Sequence, residues 1–329
     1  MEVDFSRARV AVVGLGLMGG SLCAALRTRG ACREVIGVAR RPATLQMARD
    51  LRFIDRGATD LAEGLRDADV VVLATPVRDI LEKLATIGPL LAPGALVMDI
   101  GSTKLAICRA MDGLPEGIQP LGGHPMCGKE SSGLTMADPT LYRDRVFVLV
   151  PLPRTAPEAL EMGHALARGV GARPLVIARG YTGEARAYTG EARAYTGEAR
   201  GYTDADTGEA DAPGEFPGAA RHDRLVAAIS HLPFMLASAL VEAAAATAEG
   251  DPLAWELAAG GFRDTSRVAA SDPTMMLDIL ATNRDEVLRA LREARGQLDR
   301  LTRLLEEGDL EALHRAIEVA RNRRMEILP

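Results

Sequence analysis

Three polar residues of this chain lie in short contexts that are unusual for a mere scaffold. Ser102 lies in Gly-Ser-Thr-Lys, His124 in Gly-Gly-His-Pro-Met, and Arg267 in a stretch that begins Gly-Gly-Phe-Arg and also contains Arg263. An imidazole is a base near neutral pH, a hydroxyl can orient it, and a guanidinium pairs with a carboxylate. Opposite a hydride acceptor, this set would suit the oxidation of an alcohol in an anionic substrate.

Each of these residues also has a simpler interpretation. Ser102 could cap the helix predicted to start near Lys104. A lone histidine such as His124 is more often a structural hydrogen-bonding group than a base. Arg263 and Arg267 could form solvated ion pairs with neighbouring aspartates.

A hydride acceptor is indicated by the stretch from Val10 to Ser21. An apolar run ends in Gly14-x-Gly16-x-x-Gly19, and a helical pattern follows directly. In this strand–turn–helix context the glycines permit a tight turn, close approach of a pyrophosphate and close packing of the helix. The residues predicted to bind a dinucleotide are Gly14, Leu15, Gly16, Leu17, Met18 and Gly19, with Thr75 and Pro76 after a later strand.

The end of the second predicted strand bears on the choice of cofactor. NAD-binding units usually place an acidic residue there, whereas this chain has Ala39 followed by Arg40 and Arg41. Guanidinium groups bind a 2′-phosphate with paired, charge-assisted hydrogen bonds. NADP is therefore favoured over NAD, and the alternative is that both arginines belong to a solvated loop.

Alternating strands and helices predict an α/β, Rossmann-type doubly wound sheet, followed by an all-helical second domain. Buried strands are predicted at 10–13, 34–39, 69–76, 95–100, 145–150 and 173–178. A Tyr-Thr-Gly-Glu-Ala-Arg-Ala repeat predicts a mobile polar insertion between the domains. The expected boundaries are 1–179 for the dinucleotide-binding domain, 180–219 for the insertion and 220–329 for the helical substrate and dimerisation domain.

The helical domain is predicted to contain an apolar helical stretch over 222–248 and a later helix that Asn283 and Glu286 would cap. Gly308 suits the end of that later helix. A seam of apolar residues runs along it and calls for a partner helix, within the domain or in a second subunit. The seam comprises Val287, Leu291, Ala294, Leu298, Leu301 and Leu305.

Composition limits the other possibilities. The chain has 329 residues, 47% of them hydrophobic, and a formal net charge of −6. No affinity for nucleic acid or anionic membranes is expected. The four cysteines form no CxxC pair, no metal site is predicted, and no secretory leader or membrane-spanning stretch is recognised. A cytoplasmic location is expected.

Taken together, these motifs resemble the prephenate/arogenate dehydrogenase family of tyrosine biosynthesis. The motifs that carry the resemblance lie at 13–21, 99–104, 123–128, 230–233 and 260–269. They occur in the family's order across both domains.

The resemblance implies oxidative decarboxylation, in which the ring carboxylate leaves as CO2 while a hydride passes from ring carbon C4 to NAD(P). It assigns His124 to accepting the hydrogen bond, and ultimately the proton, of the 4-hydroxyl, and Ser102 to orienting either His124 or that hydroxyl. Arg267 would hold a substrate carboxylate, and Arg263 and His231 are assigned to substrate binding with it. A homodimer formed through the helical domain is also implied.

One departure leaves the substrate open between prephenate and arogenate. The family often has a second histidine three residues after His231, where this chain has Phe234. A non-catalytic, NADP-sensing regulator on the same fold is a further alternative. β-Hydroxyacid dehydrogenases are disfavoured because they use a lysine of the helical domain, and this chain has none from Arg221 to Pro329.

Overall fold

The computed structural model describes residues 4–129, 132–178 and 216–327. Eight strands form one sheet in the order β3-β2-β1-β4-β5-β6-β7-β8, parallel except for the antiparallel β6–β7 pair. The strands are β1 Arg9–Val13, β2 Glu34–Val38, β3 Arg56–Ala58, β4 Val70–Leu73, β5 Leu96–Asp99, β6 Gln119–Pro125, β7 Val146–Pro151 and β8 Arg173–Val176. This confirms the predicted doubly wound sheet.

Helices cover both faces of the sheet. They are α1 Leu17–Arg29, α2 Pro42–Asp50, α3 Leu61–Leu65, α4 Val77–Ile87, α5 Leu105–Asp112 and α6 Pro157–Gly169. Successive residues of a strand point to opposite faces, so Val10 and Val12 enter one core with α1 and α6, whereas Ala11 and Val13 enter the other with α4 and α5. Burial on both faces explains why these strands read as continuous apolar runs.

The parallel strands bring the candidate site to one edge of the sheet. The glycine loop follows β1, Arg40 follows β2, Thr75 follows β4 and Ser102 follows β5. His124 was expected in a loop, and this is wrong: it lies in β6, whose register with β7 pairs it with Val148. Its ring is therefore carried by regular strand geometry.

The helical part begins with one continuous helix that contains a π-helical turn. It consists of α7 Pro217–Val226, the π turn Ala227–His231 and α8 Leu232–Thr247. By length and composition this helix could cross a membrane, which corrects the expectation that no apolar stretch is long enough. Only 22% of its most apolar window is buried, although the helix buries the polar side chains of His222, Asp223 and His231.

The remaining described helices are α9 Leu253–Glu256, α10 Gly260–Ser266, a 3₁₀ turn Arg267–Ala270, α11 Pro273–Thr282, α12 Arg284–Glu306 and α13 Leu310–Ile327. Asn283 precedes α12, but the expected capping box is wrong because its side chain makes no cap hydrogen bond there. Gly308, with a φ of 69°, follows α12 as expected. The apolar seam of α12 is exposed in its second half, where Leu298 is 55% and Leu305 64% exposed.

Two expectations from the sequence concern the margin of the described residues. The repeat insertion falls almost entirely in 179–215, outside them. The helical part begins at Pro217, slightly before the expected boundary at 220.

Strand β3 and helix α3 were not predicted, because both are short and weakly apolar.

Candidate active site

The loop between β1 and α1 has the shape that a dinucleotide pyrophosphate requires. Gly14 has a φ of 102°, and a Cβ there would lie 2.6 Å from Thr75 Cγ2. A Cβ on Gly19 would lie 1.9 Å from Gly14 O, whereas one on Gly16 would meet no atom within 4 Å. The three glycines thus provide the turn, the open space and the close helix packing. The amides that begin α1 have no side-chain cap and are available to phosphate oxygens.

A residue that sequence reasoning missed supports this loop from behind. The buried Tyr142 hydroxyl donates a hydrogen bond to Met18 O at 2.7 Å. The Ser21 hydroxyl, also buried, accepts one from Asp138 N at 2.9 Å. Leu15 is buried, and Leu17 is half-buried. The segment between β6 and β7 therefore fixes the start of α1.

Arg40 and Arg41 are both exposed at the ligand edge. Burial opposes ionisation of Asp79 in α4, but the hydrogen bond from Lys83 at 2.8 Å and the charges of Lys83 and Arg40 hold the pKa of that carboxyl below its usual value. Arg40 therefore lies near the end of β4, on the side where the adenosine half of a dinucleotide would lie. Thr75 is half-buried and Pro76 exposed at that same end.

A buried ion pair connects the end of β5 with the loop that follows it, and its carboxylate also contacts β6. Lys104 Nζ donates to Asp99 Oδ2, and both side chains are fully buried. The Asp99 carboxylate also accepts from Gly101 N at 2.7 Å and from Gly123 N at 3.1 Å. Burial raises the pKa of Asp99, while Lys104 and the two amides oppose that rise. The Asp99 carboxylate thus fixes the positions of Gly101, which precedes Ser102, and Gly123, which precedes His124.

Ser102 does not cap α5. Helix α5 begins after Lys104, and the loop between β5 and α5 provides no side-chain cap. The amides of Lys104 and Leu105 instead donate to Asp223 of α7, at 2.6 and 2.9 Å. The simpler interpretation of Ser102 as a helix cap is therefore wrong, and its half-buried hydroxyl lies at the ligand edge.

His124 is at one end of a chain of polar side chains from the helical part. Its Nδ1 is hydrogen-bonded to His222 Nε2 at 2.9 Å, and His222 Nδ1 lies 2.8 Å from Asp223 Oδ1. Burial, then His222, Lys104 and His231, lower the pKa of His124 well below its usual value. The imidazole is therefore neutral at pH 7, in the form that accepts a proton.

His231 lies in the same cluster but deeper. It is 1% exposed, and its Nδ1 is hydrogen-bonded to Asn283 Nδ2 at 3.2 Å. Burial lowers the pKa of His231 to about 4. Asn283 also donates to Asp223 O at 2.8 Å, which is why it does not cap α12. Any substrate contact of His231 would use its Nε2.

Arg263 lies in α10 and Arg267 in the 3₁₀ turn that follows, and both are exposed. Both elements pack against α8, the helix that continues from His231. The arginines thus lie in the helical part of the chain, whereas Ser102 and His124 belong to the sheet part. This arrangement fits a substrate held between the two parts of the chain.

Two family models match the two parts of the chain. "Prephenate dehydrogenase, nucleotide-binding domain" matches residues 22–176, and "Prephenate dehydrogenase, dimerization domain" matches residues 218–319. The chain is also 30% identical over 319 residues to a prephenate dehydrogenase of Bacillus subtilis, covering 96% of this chain and 75% of that protein.

The chain belongs to the prephenate dehydrogenase family.

Solved structures of the family share the whole fold. The crystal structure of A. aeolicus prephenate dehydrogenase in complex with hydroxyphenyl propionate and NAD+ matches with a TM-score of 0.79 and 27% identity, covering 98% of this chain and 99% of that one. Synechocystis arogenate dehydrogenase matches with a TM-score of 0.74 and 31% identity, covering 97% and 100%. As a member of this family, the chain is a nicotinamide-dependent oxidoreductase acting on a small molecule, and its helical part is the family's dimerisation domain.

The polar residues that support the site were not predicted from the sequence. Asp99 and Lys104 lie in the 99–104 motif, which predicts no role for either side chain, and no motif contains His222 or Asp223. An adjacent His-Asp pair in α7, shortly before the apolar α8, is a signal that could have been used. Charged groups are rarely fully buried unless they are paired.

Proposed function

We propose that this chain catalyses the oxidative decarboxylation of prephenate to 4-hydroxyphenylpyruvate. The observation that carries the proposal is the position of His124. A neutral, hydrogen-bonded imidazole lies at the same sheet edge as an open glycine loop that fits a dinucleotide. A base and a hydride acceptor at one edge are what the removal of a hydride from a carbinol carbon requires.

The cofactor supplies the hydride acceptor, and the protein's part is to hold it. Gly14, Gly16 and Gly19 accommodate the pyrophosphate at the start of α1. We assign Arg40 and Arg41 to the 2′-phosphate of NADP, because no acidic residue occupies the end of β2 and both guanidinium groups are exposed there. NADP is therefore the proposed preferred cofactor.

On the substrate, His124 accepts the hydrogen bond and then the proton of the 4-hydroxyl, and Ser102 orients that hydroxyl or the imidazole. Arg267 holds a carboxylate with a bidentate pair, and Arg263 and His231 complete the substrate contacts. Aromatisation of the ring supplies much of the driving force, so that positioning and deprotonation are the main tasks of these side chains.

The exposed apolar residues of the helical domain support a homodimer. Leu298, Leu301 and Leu305 of α12 are 38–64% exposed, and Ile229 in the π turn is 67% exposed. Exposed apolar residues of this kind indicate a protein interface, and the match to a dimerisation domain points to a second copy of the chain. We also propose a cytoplasmic location, because the chain belongs to a family of enzymes that act on a small biosynthetic substrate.

Arogenate is the second candidate substrate. The half-buried Phe234 stands where many members have a histidine, so it can neither donate a hydrogen bond nor carry charge toward the side-chain end of the substrate. Prephenate carries a keto group there, and arogenate carries an ammonium group. The similarity to Synechocystis arogenate dehydrogenase makes this alternative worth a direct test.

A kinetic matrix of prephenate and arogenate against NAD and NADP tests the proposal. We expect the highest kcat/KM with prephenate and NADP, and a loss of about 10²- to 10⁴-fold in kcat for His124→Asn with cofactor affinity retained. Cofactor binding without turnover of either substrate would contradict the proposal and favour a regulator. A higher kcat/KM with arogenate would reassign the substrate.

A further inference from the structure

The hydrogen bonds behind His124 continue into the helical domain as one chain. His124 Nδ1 meets His222 Nε2 at 2.9 Å, and His222 Nδ1 meets Asp223 Oδ1 at 2.8 Å. His222 and Asp223 are 1% and 2% exposed. The amides of Lys104 and Leu105 also converge on the Asp223 carboxylate, so its position is fixed by the start of α5.

The direction of each hydrogen bond follows from this carboxylate. Asp223 is an acceptor, so His222 Nδ1 carries the proton that it receives. A neutral His222 therefore has a free lone pair on Nε2, which accepts from His124 Nδ1–H. His124 in turn keeps its Nε2 lone pair for the substrate. Asp223 thus sets the tautomers of two successive imidazoles.

We propose that His222 and Asp223 form a proton relay behind His124, in which Asp223 fixes both tautomers and His222 stores the proton of the substrate hydroxyl. This inference rests on the proposed function. The hydroxyl proton passes to His124 Nε2, while the proton on His124 Nδ1 passes to His222 Nε2. The positive charge then lies beside the Asp223 carboxylate.

The reaction needs storage of this proton rather than its release. The hydride leaves ring carbon C4 and CO2 leaves C1, and the electron pair of the broken C–C bond makes the ring aromatic. The product carries a phenol at C4, so the proton lent by the hydroxyl returns to the same oxygen by the reverse transfers. No exchange with solvent is required, which suits a fully buried pair.

The surrounding charges explain why the proton is better held on His222 than on His124. Lys104 opposes a positive charge on either ring, and His231 opposes one on His124. Burial lowers the pKa of His222 as well, but Asp223, by hydrogen bond and charge, and the more distant Asp99 oppose that shift. His124 has no carboxylate of its own among the groups that shift its pKa.

A purely structural role is the competing explanation. Asp223 could serve only as the cap of α5 that joins the two domains, and His222 could serve only as a spacer. In that case the substitution of His222 would weaken substrate binding or folding without altering how the site titrates. The pH dependence of the rate therefore separates the two explanations.

His222→Gln is the informative variant, because the amide oxygen can still accept from His124 but cannot take up a proton. With the substrate that the wild type turns over best, we expect kcat to fall about 10²-fold while the cofactor KM stays within about two-fold. The acidic limb of kcat/KM should move to lower pH, because His222, the first ring to be protonated, is gone. His164→Gln, a buried histidine in α6 outside the site, is the matched control and should change neither quantity.

Nitrogen-15 spectra of the histidine rings in the free protein give a readout that needs no turnover. The relay requires the Nδ1–H tautomer at both His124 and His222, with the His222 signals identified by their loss in His222→Gln. An Nε2–H tautomer at either ring, or an acidic limb unchanged in His222→Gln, would overturn the relay. If the wild type turns over neither prephenate nor arogenate, the proposed function fails, whereas the ring spectra still decide the hydrogen-bond directions.

Discussion

The buried pair of Asp99 and Lys104 is expected to be the most strongly coupled interaction of the nucleotide-binding domain. Both side chains are fully buried, and the carboxylate also accepts from Gly101 N and Gly123 N. Lys104→Met leaves a buried carboxylate without its cation, and Asp99→Asn leaves a buried ammonium group without its anion. Each single variant should lose about 3–5 kcal/mol of folding free energy.

The double variant should lose much less than the two single variants together. It removes both charges, and replacing a whole buried pair is often close to neutral. The amide that replaces the Asp99 carboxylate has one acceptor oxygen and can serve only one of the two glycine amides, and the unpaired buried amide should cost about 1–3 kcal/mol. The losses of the two single variants sum to about 6–10 kcal/mol. The coupling energy is this sum minus the loss of the double variant, which makes it at least about 3 kcal/mol.

Chemical denaturation followed by circular dichroism measures these losses, at one protein concentration because subunit association adds to stability. Lys129→Met is the matched control: Lys129 pairs with Asp138 at 2.9 Å, but the two side chains are 40% and 32% exposed. We expect this control to lose at most about 1 kcal/mol. Single losses no larger than the control, or additive losses in the double variant, would refute the reasoning.

Three further variants test other parts of the structure. The double variant Ala39→Asp/Arg40→Ser should shift the ratio of kcat/KM values from NADP toward NAD by about ten-fold. This is the lower end of the effect of losing a charge-assisted contact, because Arg40 is exposed. An unmodified enzyme that already prefers NAD would contradict the prediction. Tyr142→Phe removes the hydrogen bond to Met18 O and should raise the cofactor KM a few-fold with little change in kcat. An unchanged KM would show that the glycine loop keeps its conformation without this hydrogen bond. His164→Leu should raise Tm, and more so near pH 5 than near pH 8. Burial lowers the pKa of His164, and neither ring nitrogen has a hydrogen-bond partner among the described residues. Below about pH 6.5 the unfolded chain therefore binds a proton at this histidine that the native state does not bind, which destabilises the native state. An equal gain in Tm at both pH values would contradict this prediction.

The elements that local chemistry specifies were predictable from the sequence. The strand before Gly14 is a continuous β-branched run, and the spacing of the three glycines encodes a turn that needs both a positive φ and close helix packing. The edge of the sheet that carries Thr75 and Ser102 follows from the parallel order, because every parallel strand ends there. These inferences need only residues that are close in sequence.

The predictions that failed involve groups that are distant in sequence. His124 was expected in a loop because glycine and proline flank it, yet strand pairing with β7 keeps it in regular structure. Asn283 was expected to cap α12, but its amide donates to Asp223 O, 60 residues away. A side chain chooses between a local cap and a distant acceptor according to the tertiary fold, which no local pattern contains.

The same distance in sequence has a consequence for catalysis. His124 belongs to the sheet, but the residues that determine its tautomer belong to α7 of the helical domain, 98 residues further along the chain. Two more contacts join the domains nearby: Arg78 Nε pairs with Asp278 Oδ1 at 3.1 Å, and the Thr103 and Thr282 hydroxyls lie 2.9 Å apart. The glycine loop lies wholly within the sheet part, whereas His124 acquires its hydrogen-bond partner only when α7 is docked. Substitutions that loosen this docking should then lower kcat before they lower the affinity for the cofactor.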